Sequence, residues 1–312
     1  MDRPILKLLV KSLLLLTVCL GPFLYLSIQY AMVSREYYWK TTHKADHIIT
    51  GGSRAFRGIA PAVLKEELGL EGAALNIAFN GIDSPYGKYY SRFIKRKLRR
   101  KKGDALYILT VHHGLLSDYK EGKGAREASF RVYEQFLVNV HPNLEFVLRN
   151  VDKEEASVFS LFLPDNINSI GRKREVLGTK DGWGIRVDRA SASGKRKKVV
   201  AQTRPAQREL LRSAEREAEF AALVGFLSQR GQVVLVRLPV VKGVRALEQQ
   251  RAPHFDAFLQ KITEDFGVPY LDFSATGEDY TFFDNLHHLD SAGAVKFSRV
   301  LAERIREEVL LK

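Results

Sequence analysis

Two stretches far apart in the chain carry residue types that could do acyl chemistry together. HIITGGSRAFRGI (47–59) ends a β-friendly run on Gly51-Gly52-Ser53 and then turns helical in pattern. FFDNLHHLD (282–290) gathers Asp284, His287 and His288 just before the last helical segment. A serine hydroxyl is a poor nucleophile until a base accepts its proton. That base is usually histidine, oriented by a carboxylate. Ser53, one of the two histidines and Asp284 would supply the set. The oxyanion of a tetrahedral intermediate needs preorganised N–H donors, and the amides of Ser53 and Gly81 are natural candidates. Ser53 also has a simpler reading, as a helix N-cap.

For these residues to meet, the chain must fold so that both stretches reach one edge. Five short apolar runs read as strands: 47–51, 73–79, 105–111, 232–238 and 269–273. Such runs suit strands buried on both faces. Helical patterns occupy 59–69, 85–102, 205–230, 250–266 and 291–311. The alternation predicts an α/β fold, a three-layer αβα sandwich around a five-stranded parallel sheet. Ligands of open parallel sheets bind beyond the carboxyl ends of the strands, where Ser53, Gly81, His112-His113 and the 282–294 loop would converge. The stretch 112–231 is too long for a simple crossover and reads as an insertion. It has helical patterns at 125–140 and 152–163, then a polar segment at 165–204 that is either a solvated basic loop or a cap over the sheet.

Other residues at that edge have weaker claims. Arg54 could meet an anionic substrate or form a surface salt bridge. Trp183, between two glycines, is the insertion's candidate substrate-facing aromatic. His112, His113 and Asp118 hint at a metal, but no third convergent ligand stands out and no metal or other cofactor is expected. Asn80 and Asp83 read as turn residues.

The N-terminus sets the location. Residues 12–34 carry no formal charge, which is long enough for a membrane span of roughly 20 residues. The run holds Gly21-Pro22, tolerated in membrane helices, and tyrosines and Trp39 crowd its far end as an aromatic belt would. A cleavable signal peptide is the competing reading, but no small-x-small cleavage site follows the apolar core. The expected layout is an anchor over 1–40 and an α/β domain over 41–312. Arg3, Lys7 and Lys11 precede the span, favouring a cytoplasmic N-terminus. The domain would then lie on the periplasmic or extracellular side of the cytoplasmic membrane. The single cysteine, Cys19, excludes an internal disulfide and a Cys-based zinc site. The net charge of +13 raises nucleic acid as a partner. A basic domain tethered outside the cell membrane would instead meet anionic headgroups and envelope polymers.

ITGGSRAFRGIAPAVL (49–64), LNIAFNGIDS (75–84) and YLDFSATGEDYTFFDNLHHLDSAGAVKFSRVLAERI (270–305) together resemble the conserved blocks of SGNH/GDSL-type hydrolases. The resemblance spans 47–311 and is poorest at 112–231. One membrane helix before such a domain is similar to envelope members, such as the teichoic-acid D-alanylation protein and polysaccharide O-acetylation proteins. It implies acyl-ester chemistry on a cell-envelope polysaccharide or acylated carrier, with a membrane acyl-transfer partner. Asp284-Asn285-Leu286-His287 fits the family's Asp-x-x-His spacing, whereas the spacing from His288 to Gly293 fits the family's downstream pattern and favours His288. The family's third block carries an oxyanion Asn, and VHHGLLSD (111–118) has none. His112 or His113 would substitute, or the hole would have two donors. A non-catalytic scaffold of the same fold, binding an envelope glycan or an assembly partner, is the alternative reading.

Overall fold

The structure is a computed structural model that describes residues 3–34, 37–79, 86–99, 103–119, 137–146, 176–186, 210–282 and 287–311. In chain order its strands are β1 (His47–Thr50), β2 (Ala74–Asn76), β3 (Leu106–Thr110), β4 (Ser117–Tyr119), β5 (Val176–Gly178), β6 (Gly184–Arg186), β7 (Leu210–Arg212), β8 (Gln232–Arg237) and β9 (Tyr270–Asp272). Five of them form one parallel sheet in the order β2-β1-β3-β8-β9. The others pair as short antiparallel ribbons, β4 with β7 and β5 with β6.

Side chains alternate across a strand, and here both faces are apolar. Ile48, Tyr107, Leu109, Val233 and Leu235 point into one core. They meet α5 (Lys88–Lys97), α6 (Ala214–Ser228) and α8 (Phe255–Phe266) there. Ile49, Leu106, Ile108, Val234 and Val236 point into the other core. There they meet α3 (Ser53–Gly58), α4 (Pro61–Leu68) and α9 (Ser291–Ile305). The α/β class, the five-stranded parallel sheet and the two helix layers are those the sequence predicted.

Boundaries differ where local chemistry intervenes. The pattern expected over 59–69 starts at Pro61, whose fixed φ suits the first helical position, and a separate short helix, α3, precedes it. The pattern over 250–266 shortens to α8, and Pro253 separates it from a helix the pattern did not include, α7 (Lys242–Arg251). The expected helix over 152–163 and most of that over 125–140 lie outside the described residues; 137–140 form a turn. Basic runs 172–174 and 195–198 also lie outside them.

Ahead of the sheet runs α1 (Arg3–Ser34), one helix long and apolar enough to cross a membrane. The chain then enters α2 (Tyr38–Thr42), which is built into the α/β domain: Tyr38, Lys40, Thr41 and Thr42 are all buried. Lys40 closes the open edge of β2. Its ammonium donates to the Asn76 and Ala78 carbonyls and sits 4.1 Å from the Phe56 ring centroid. The Asn76 amide on that edge donates to Asp181 O at 2.8 Å, from the β5–β6 hairpin. An edge left open would offer unpaired groups to another chain.

Candidate active site

Ser53 sits where the chain leaves β1 and turns into α3. Gly51 makes the turn at φ +140°, and a Cβ there would lie 1.8 Å from Thr110 Oγ1 on β3. Only glycine allows that approach. The Gly51 amide donates to Tyr90 OH at 3.3 Å, and Tyr90 OH donates to Ile77 O at 3.1 Å. Tyr86 OH donates to Thr110 O at 2.6 Å. Two buried tyrosines of the α5 region thus tie together the carboxyl ends of β1, β2 and β3. Burial pushes both phenols above their ordinary pKa, so they stay neutral hydrogen-bonding groups.

Gly52, not Ser53, is the cap residue of α3, and no side chain caps that helix. The Ser53 hydroxyl instead lies 2.7 Å from His288 Nε2. His288 is held from its C-terminal side. Asp290 caps α9 through Oδ1, which accepts from the Gly293 amide at 2.7 Å and from Thr281 Oγ1 at 2.6 Å. A Cβ on Gly293 would lie 2.5 Å from Thr281 O, so glycine lets the two ends of the loop close. Phe282 and Leu289 bridge across that base. His288 is buried. His287 is half-buried with its ring 4.2 Å from that of His288. With its proton on Nδ1, His288 presents Nε2 as the acceptor for the serine proton. Asp284 and Gly81, the predicted orienter and oxyanion donor, lie outside the described residues, as do Asn80 and Asp83.

The remaining predicted residues take up other work. Arg54 Nη2 pairs with Glu248 Oε1 at 2.5 Å, and Arg237 Nη2 pairs with Glu248 Oε2 at 3.2 Å. All three side chains are largely buried. Burial would raise the Glu248 carboxyl, but Arg54, His113 and Arg237 outweigh it and hold it below the usual carboxylate range. His112, His113 and Glu248 place ligand atoms within 4.8 Å of one another. Both Glu248 oxygens already face guanidinium groups, so a divalent cation would have to sit against two positive charges. These residues do not fit a metal. Asp118 is engaged elsewhere, by Arg216 Nε and Ser213 Oγ at 2.8 Å each. Trp183 packs into the core beside α3, and its indole N–H donates to Arg57 O at 2.8 Å.

Sequence reasoning missed Glu248, Arg237, Tyr86 and Tyr90. A signal for Arg237 existed: a charge inside the otherwise apolar run QVVLVRL must be paired if it is buried.

The fold and this edge together define a doubly wound α/β protein with a serine–histidine pair beyond its strand ends. No family model matches the chain, nor does any curated protein. Among solved structures, a lipase/acylhydrolase from Enterococcus faecalis is similar, with a TM-score of 0.39 and 11% identity over 84% of this chain and 95% of that chain.

Proposed function

We propose that this chain is a membrane-anchored serine esterase or O-acyltransferase of the SGNH/GDSL-like type, acting on acyl esters of a cell-envelope polysaccharide or related polymer. The observation that carries the reading is the 2.7 Å contact between Ser53 Oγ and His288 Nε2 at the carboxyl edge of the sheet. Ser53 Oγ attacks the ester carbonyl carbon while its proton passes to His288 Nε2. The tetrahedral oxyanion is met by the amides of Ser53 and Gly81. The C–O bond to the leaving alcohol then breaks as His288 returns the proton to that oxygen. Water or a sugar hydroxyl repeats the sequence to release the acyl group from Ser53. Asp284 is assigned to hold the His288 ring. His112 is the side chain offered where the family pattern has Asn, because its Nε2 lies 4.0 Å from the position of a Cβ on Gly52. In this reading the α/β domain lies outside the cytoplasmic membrane and works with a membrane acyl-transfer partner.

The test is labelling of the full chain in detergent with a fluorophosphonate probe, alongside p-nitrophenyl acetate hydrolysis. Wild type is expected to label. Ser53→Ala abolishes labelling, and His288→Gln slows both readouts by about 10³-fold or more. A folded wild-type chain that neither labels nor hydrolyses would overturn the esterase reading and leave a partner-dependent transferase or the scaffold alternative.

A further inference from the structure

Outside α1, the exposed large aliphatic side chains among the described residues are Leu137, Val140, Leu144, Leu211, Leu310 and Leu311. The first three fall on one short loop, 137–146, and are 44%, 43% and 37% exposed. That loop buries Asn143 completely, along with Val138 and Phe146, and turns Leu137, Val140 and Leu144 outward. The polar residues face inward because they bind α2. The Asn139 amide donates to Thr41 O at 2.6 Å. The Asn143 amide donates to Tyr38 OH at 3.1 Å, and its Nδ2 donates to Thr41 Oγ1 at 3.1 Å. Phe146 packs edge-on to Tyr38, and Ile28 of α1 packs against the same pair.

We infer that Leu137, Val140 and Leu144 dip into the interfacial layer of the bilayer that α1 crosses, and hold the α/β domain down on it. The inference rests on reading α1 as a membrane span. Chain length argues for the bilayer as occupant. The apolar span runs to Leu26, and Ile28, two residues on, packs against Tyr38 and Phe146, so the loop fastened to Tyr38 cannot be far from the surface. The neighbouring groups suit that depth. Trp39 stacks near His141, with ring centroids 5.4 Å apart, and Lys180 Nζ lies 5.5 Å from the Trp39 ring. Tryptophan with lysine is what the headgroup zone favours. Aliphatic side chains that water would penalise gain by entering the acyl boundary. The same attachment fixes the reacting edge, since the Tyr37 ring packs 5.7 Å from that of Phe56, in the helix that begins at Ser53.

The full chain is reconstituted in phosphatidylethanolamine–phosphatidylglycerol vesicles with and without nitroxide lipid. Native Cys19, the chain's single cysteine, carries a polarity-sensitive dye in one sample. Val140→Cys and Leu144→Cys, each in a Cys19→Ser background, carry it in others. Lys261→Cys in the same background, at an exposed position of α8, is the solvent reference. Labels at 19, 140 and 144 are expected to shift blue and to lose at least about half their emission to the nitroxide, while 261 stays bright. Labels at 140 and 144 as bright as 261, with Cys19 quenched, would overturn the inference. Cys19 unquenched as well would overturn the anchor reading, and this inference with it.

Discussion

A residue beside the proposed nucleophile need not touch substrate to matter. Arg54 is one position from Ser53, and its guanidinium is matched to Glu248, itself matched to Arg237. One buried carboxylate therefore gathers the start of α3 and the end of β8, with His113 of the β3 loop close to it. His113 titrates inside this cluster. Burial drives its pKa down, Glu248 pulls it back up, and Arg54, Arg237 and Arg251 lower it again, to about 4. The folded state thus binds its proton less tightly than the unfolded chain does. The neutral ring's contribution is complete above the unfolded value of 6.5 and is lost as pH falls towards 4. Urea midpoints between pH 7 and 4.5 should show this loss in wild type. They should fall less steeply in His113→Gln, by about 1–3 kcal/mol. Ser53 and His288 were legible because serine after a strand-ending Gly-Gly and histidine before a helix are sparse patterns. Glu248 was not. It is the single acid of its amphipathic helix, and the chain order does not say which cation it meets.

At the level of elements, the site depends on two sharp connections. The β1–α3 turn places Ser53, and the loop closed by Asp290 and Gly293 places His288. Gly51→Ala is the direct probe of the first. The left-handed-side φ and the Thr110 hydroxyl 1.8 Å from the added Cβ predict a loss of about 3 kcal/mol or more. Fluorophosphonate labelling should also be lost in whatever fraction stays folded. Denaturant titration with parallel labelling measures both. Asp290 illustrates why the second connection was only half readable. Asp-Ser-Ala-Gly ahead of an apolar pattern announces a capped helix, but the Thr281 hydroxyl that fastens the cap from the far side of the loop is not visible in that pattern. Helix ends were displaced at Pro61 and Pro253 for the same kind of reason: periodicity locates a helix, while proline decides where it starts or stops.

Across the whole molecule, the N-terminal segment and the edge that carries Ser53 form one continuous structure. Lys40 joins them, with its charge on the carbonyls of Asn76 in β2 and of Ala78 just past it, and on the face of Phe56. Replacing it with Met keeps the apolar stem and leaves those carbonyls without the ammonium. The expected cost is about 2–4 kcal/mol, from two buried acceptors at roughly 1–3 kcal/mol each with partial relaxation. Ser53 labelling should slow as well, because α3 loses the floor under Phe56. Guanidinium unfolding of Lys40→Met in detergent, with the probe rate read alongside, tests this. An unchanged midpoint would contradict the role assigned to this lysine.

What the sequence determined by itself were the features written in local periodicity and in sparse residue types. These are the buried two-faced strands, the amphipathic helices, the apolar N-terminal run, and the Gly-Gly-Ser and His-His motifs. Each follows from short-range chemistry, namely which side chains prefer burial and which backbones only glycine adopts. Only the tertiary structure decided which partners meet. It set His288 rather than His287 against Ser53, gave Arg54 to Glu248, turned Trp183 into packing, and buried Lys40 beneath the site. The reason is physical. Pairing energies depend on distance and desolvation, and neither exists until remote segments have been brought to the same edge.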